Sequence, residues 1–216
     1  VSIAIGTTMF ARYADLPNTV SHAIAEFIDN ALQSYRNNKD YFQSTNPDFR
    51  FKVTIDFNWN TDDNRARKIT ISDNAGGLNF ASFQKAFMTA ETPEDNKGLN
   101  EFGMGMKTAA GWLGNKWSVR TSAIGEHVER FYEFDLQYVL ENDVKELPYD
   151  EIPSSESSHY TIVTIEEPTK NSPSQKSVDK IKLELASIYR QSLRANEMDL
   201  FVDGEPLSFD EYPVLE

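Results

Sequence analysis

The chain contains no cysteine, which excludes disulfides, thiolate metal sites and cysteine nucleophiles together. That usage fits a reducing compartment, and a cytoplasmic location is expected. No apolar run approaches the ~18 residues of a membrane span and no signal-peptide pattern is visible, so no membrane partner is expected. Positive charge is scarce: 21 Lys and Arg stand against 34 Asp and Glu, for a net charge of −13. A broad acidic surface repels phosphate backbones, so nucleic acid is expected as a partner only through segments outside this chain. A nucleotide is not excluded, because a pocket needs local donors rather than global positive charge. The 216 residues suffice for one large domain, or a domain with part of another. The first residue is Val1 rather than Met, which reads as a piece of a longer protein.

What is present is organised around one amphipathic stretch. Pro17, Asn18 and Thr19 read as a helix start, with Asn18 or Thr19 as cap. Val20, Ile24, Phe27, Ile28, Ala31 and Tyr35 then follow helical spacing and form the core face. The other side carries His22, Glu26, Asp29, Asn30 and Gln33, with no basic residue until Arg36. An ordinary solvent face of this length usually includes a lysine or arginine, so this one reads as the wall of a site. A solvated face is the alternative.

Residues 37–50 are polar and read as a loop. Phe51, Val53, Ile55, Phe57 and Trp59 alternate with polar residues as a half-buried strand, and 68–72 is its returning partner. A short helix is expected over 80–88 and another over 105–113, separated by a polar stretch, 89–101. A loop of that length inside a compact domain is usually functional or disordered. Strands are expected at 117–122, 128–134 and 160–165, with 136–140 ambiguous. The acidic, serine-rich 141–158 reads as an exposed loop. Residues 167–175, with Pro168 and Pro173, read as a linker. A helix over 177–195 and a strand over 198–202 follow, the strand running into the turn Asp203-Gly204.

Three elements carry chemistry. Glu26 and Asn30 lie one turn apart on the same side of the first helix. The carboxylate can orient a water, and the amide oxygen can ligate a hard cation such as Mg²⁺. Asp73 ends a strand before Asn74-Ala75-Gly76-Gly77. Its carboxylate can accept from an exocyclic amine, and the glycines allow backbone to approach a flat base. Gly103-Met104-Gly105-Met106-Lys107 opens a helix, where free N–H groups and a lysine suit phosphate. Each has an ordinary reading when taken alone: a solvated helix face, a plain turn, and a helix entered through glycines.

Their order removes that independence. Glu26-x-x-x-Asn30, the Asp73 strand end with its glycines, a polar lid and a Gly103-x-Gly105 helix together resemble the GHKL ATPase superfamily. That group includes gyrase B, the large heat-shock chaperones, histidine kinases and MutL. The resemblance covers residues from about 10 to 166. It implies a Bergerat-type ATP-binding fold, a two-layer α/β sandwich with a mixed, mostly antiparallel sheet covered by helices.

The resemblance also implies residue roles. Glu26 would be the general base and Asn30 the Mg²⁺ ligand. Asp73 would read adenine, with Gly77 under the base. Gly103 and Gly105 would contact phosphate, with Lys107 nearby. Thr161, in Tyr160-Thr161-Ile162-Val163, would hold adenine through water. This sequence departs from the family pattern at Ala75, Asn100 and Tyr160, where glycine is usual, and at Gln33, where aspartate is common. Phe102-Gly103-Met104-Gly105-Met106-Lys107 and Ile28-Asp29-Asn30-Ala31 look most like Microrchidia-type ATPases and their bacterial relatives.

The expected organisation is an ATP-binding domain over 1–166, a linker over 167–175, and the start of a transducer-like domain or C-terminal extension over 176–216. The lysine that MutL-like transducers supply is not expected within the chain. The resemblance further implies an ATPase with ATP and Mg²⁺ as cofactors, coupling nucleotide state to lid closure and dimerisation. Residues 2–10 would be a swapped arm or an ordinary edge strand. The alternatives are a non-hydrolysing, nucleotide-dependent interaction module and, more remotely, a histidine-kinase-like phosphotransfer domain. Glu26 argues against the last, because such kinases commonly carry asparagine at that position.

Overall fold

Thr19 has extended backbone, and its side chain accepts from the His22 N–H, capping helix α1 (Val20–Asn37). Nine buried positions along α1, from Ser21 to Tyr35, press one stripe of the helix against a sheet. The computed structural model describes residues 2–4, 13–87, 104–142, 144 and 146–209. Residues 5–10 of the expected arm and the whole of the expected lid, 89–101, lie outside them.

The strands, in chain order, are β1 (Ser2–Ala4), β2 (Lys52–Trp59), β3 (Ala66–Asp73), β4 (Gly114–Ser122), β5 (Val128–Asp135), β6 (Glu146–Pro153), β7 (Tyr160–Pro168), β8 (Asp199–Val202) and β9 (Glu205–Pro206). Among the described residues they form one sheet in the order β1-β6-β5-β4-β7-β3-β2-β8-β9. Every pairing is antiparallel except that of β8 with β2. This is the expected mixed, mostly antiparallel α/β fold. The alternation read in β2 is the burial pattern, with Val53, Ile55 and Phe57 inward and Lys52 and Asp56 outward. One face of the sheet therefore meets the helices and the other meets solvent.

The remaining helices are α2 (Lys39–Thr45), α3 (Phe80–Phe87), α4 (Met104–Leu113), α5 (Leu136–Glu141), α6 (Val178–Ile188) and α7 (Arg190–Arg194). Two stretches read as loops are ordered elements. Residues 39–45 form α2 because Phe42 is buried, stacking on Phe49 at 4.2 Å and on Tyr35 at 5.6 Å. Within 141–158, β6 is a strand in which Leu147 and Tyr149 alternate inward. Its acids and two prolines hide that period in the sequence. The ambiguous 136–140 is helix α5, capped by Asp135, which accepts from the Tyr138 N–H at 3.0 Å.

The proline-containing stretch after β7 is pinned to its surroundings. Thr169 Oγ1 donates to Trp112 O at 2.6 Å, Asn171 Nδ2 to Ala14 O at 2.8 Å and Ser172 Oγ to Ala66 O at 2.7 Å. Ile181, Leu185, Leu200 and Val202 share one core cluster with Ile24, Ile28, Val53 and Trp117. The expected helix over 177–195 breaks at Tyr189, which follows α6 and turns its buried ring inward. Asp203 and Gly204 both have positive φ, 49° and 76°, as a tight two-residue hairpin requires.

Candidate nucleotide site

Antiparallel register fixes the floor of the site. Asp73 at the end of β3 pairs with Thr161 on β7, and Thr161 pairs with Thr121 on β4. Residues paired directly across neighbouring strands share a face, so three polar groups stand in one row on the helix side of the sheet. Thr121 is fully buried. Its Oγ1 donates to Tyr160 O at 2.9 Å, accepts from Leu78 N at 2.9 Å and lies 3.2 Å from Thr161 Oγ1. With its single proton committed to Tyr160 O, Thr121 receives the Thr161 hydroxyl, and Thr161 is left with lone pairs for a ligand or water.

Asp73 Oδ1 accepts from the Ala75 N–H at 2.9 Å. Burial pushes its carboxyl up to about 7, against the pull of that hydrogen bond. The turn after it is held from below: His159 Nδ1 lies 3.0 Å from Asn74 O and 3.1 Å from Ala75 O, so it is the protonated nitrogen. Ala75 is buried and is not among the positive-φ residues, whereas Gly77 has φ of 69°. The glycine demand of this turn therefore falls on position 77, and alanine is accommodated at 75. A side chain on Gly77 would collide with the Ser122 carbonyl.

Helix α1 forms the opposite wall. Phe27, Asn30, Ala31 and Ser34, at helical spacing, face Val53, Ile71, Asp73, Gly77, Thr161 and Val163 across a cleft of about 530 Å³, its open mouth included. Ser34 Oγ donates to Gly77 O at 3.3 Å and ties this wall to the turn. The mostly apolar lining with a few convergent polar groups suits a flat heterocycle.

Glu26 and the start of α4 lie beside the cleft. A Cβ on Gly105 would meet Glu26 Oε2, so the helix start and this carboxylate lie against each other, and a larger residue at 105 would displace the carboxylate. Glu26 is exposed by area, yet burial of the carboxylate against α4, then the charge of Asp29, raises its pKa. Lys107, in the first turn of α4, is buried, and burial lowers the pKa of its ammonium.

The structure thus brings Asn30, Asp73, Gly77 and Thr161 into one cleft and sets Glu26 against Gly105. Lys107 follows two residues later and is not among the residues lining the cleft. Gly103 lies outside the described residues. Sequence reasoning missed Thr121, Ser34 and the turn-holding role of His159. Thr121 alternates with Trp117 and Val119 on an inward-facing row, and a polar residue there was the available signal. Among the described residues no group of three or more His, Cys, Asp or Glu could hold a metal. In the cleft lining Asn30 offers one amide oxygen, a hard donor that suits Mg²⁺ alongside phosphate oxygens and water.

The α/β sandwich thus carries a polar-floored, largely apolar-walled cleft beside the start of α4, an arrangement that suits a nucleotide. The family described as histidine kinase-, DNA gyrase B-, and HSP90-like ATPase matches residues 18–172, and the chain belongs to it. No curated protein matches the chain. Among the described residues no helix is long and apolar enough to cross a membrane.

Proposed function

We propose that this ATP-binding domain hydrolyses ATP, with Glu26 activating water. The observation that carries the reading is the Asp73–Thr161–Thr121 row facing Asn30, with Glu26 resting against the glycine that opens α4. Ionised Asp73 would accept from the adenine amine, and Thr161 would take up a bridging water. The backbone at Gly77 would lie under the base. The α4 start, with Gly103, Gly105 and Lys107, would stabilise charge on the phosphates. Bound Mg²⁺ would neutralise phosphate charge, and Asn30 is the residue that would hold it. The raised pKa of Glu26 suits a group that must take a proton.

Lid closure over 89–101, ATP-dependent homodimerisation, a cytoplasmic setting and the likeness to Microrchidia-type ATPases belong to the same proposal. So does the division near residue 166. Residues 176–216 are, in this proposal, the start of a transducer-like domain or a C-terminal extension, and the pairing of β8 with β2 favours the extension. A second reading is a nucleotide-dependent interaction module with little hydrolysis, in which the contact between Glu26 and the start of α4 senses the nucleotide rather than activating water. The test is steady-state MgATP turnover by wild type and Glu26→Ala. Turnover about 10²–10⁴-fold lower with analogue binding kept is expected for a general base; equal turnover would exclude that role.

A further inference from the structure

We propose that Tyr189 is a positioning residue for hydrolysis, acting through Asp29 on the helix that carries Glu26 and Asn30. The inference rests on the water-activation reading above. Tyr189 lies beyond the residues that match the family, 18–172.

The segment after residue 177 grips α1 at three levels. Ser21 Oγ donates to Glu184 Oε2 at 2.6 Å near the start of the helix. The Tyr189 hydroxyl lies 2.7 Å from Asp29 Oδ1 and 3.0 Å from Ala25 O at its middle. Arg36 Nη2 and Nε donate to Glu197 at 2.7 and 3.0 Å near its end. Ser21, Ala25, Asp29 and Arg36 fall on one stripe of the helix, next to the stripe of Asn30 and Ser34 that faces the cleft.

Of the three grips only the middle one touches the residues flanking Glu26 and Asn30 in sequence. Tyr189 is 5% exposed. Burial, then the charge of Asp29, raises its pKa and keeps it a donor. The Asp29 carboxylate, at an exposed position, is thereby held on the turn of α1 that runs from Glu26 to Asn30. Movement of α6 and α7 would reach the catalytic helix by this bond.

The test is kcat for MgATP together with the Kd of a non-hydrolysable ATP analogue, on wild type, E26A, Y189F, D29N and the double variant Y189F/D29N. Y189F and D29N should each lower kcat about tenfold, the worth of roughly one charge-assisted hydrogen bond, and leave analogue Kd within about twofold. The double variant should be no slower than the slower single one, because both remove the same link. Y189F with wild-type kcat, or a double variant whose losses multiply, would overturn the inference while E26A still reports on the base. Turnover that E26A leaves unchanged would overturn the water-activation reading and this inference with it. If Y189F fails to fold, D29N decides alone, and unchanged kcat there is the contrary result.

Discussion

Asp73 and Thr161 stand opposite each other on adjacent antiparallel strands, 88 positions apart in the chain. That register places a carboxylate with a pKa near 7 and a hydroxyl with free lone pairs on the same floor. The pairing is the geometric core of the proposed adenine site.

Asp73 carries a cost of function in stability. Its folded pKa, about 7, is above the ordinary 3.8. Its contribution is therefore complete below pH ~4 and is lost as pH rises through about 7, where the buried carboxylate must ionise. Asp73→Asn should melt later than wild type at pH 8, by the equivalent of roughly 1–3 kcal/mol, and the two should converge near pH 4. Thermal melts across that range read the crossing. A less stable Asn variant at pH 8 would contradict the assignment of the shift to burial.

The same titration governs affinity. An exocyclic amine donates to an ionised carboxylate, so adenine nucleotide should bind more tightly as pH rises from 6 to 8 through the Asp73 transition. Analogue Kd measured over this range should fall by up to about tenfold, one pK unit of competition being worth a factor of ten. A flat profile would mean that Asp73 does not face the ligand.

Gly77→Ala should destabilise the fold by about 2–4 kcal/mol, because a positive φ and a collision with Ser122 O coincide at that residue. Denaturant midpoints check this. Ala75→Gly, at a position without positive φ, should not rescue it.

Lys107→Met should separate phosphate from base recognition. If the buried ammonium meets the phosphates, ATP affinity should fall about 10- to 100-fold while adenosine affinity changes less than about twofold. Equal loss for both ligands, read by calorimetric titration, would place Lys107 in the scaffold alone.

Much of this was legible in the sequence because period and order survive without coordinates. The Thr19 cap, the inward residues of β2 and the helical period of α1 are local facts of the chain, whereas the sequence put Phe27 and Ala31 on the core face and Asn30 on the other, and the structure lines the cleft with all three. Asn30 and Asp73 could be named from local motifs, and Gly77 and Thr161 from the family resemblance those motifs carry. What was hidden depends on long-range pairing. The inward pattern of β6 is masked by acids and prolines and becomes clear only beside β5. Thr121 matters because register brings it to Thr161. Tyr189 reads as one more apolar position of a helix until its hydroxyl meets Asp29, 160 positions earlier.

The most direct test is calorimetric titration of a non-hydrolysable ATP analogue, with and without Mg²⁺, into wild type and Asp73→Asn at pH 8. One saturable site that needs Mg²⁺ for full affinity and loses at least about a hundredfold in the folded Asn variant is the expected result. Analogue bound equally well by wild type and Asp73→Asn, or no binding to wild type at millimolar nucleotide, would contradict an adenine site at the Asp73–Thr161 pair.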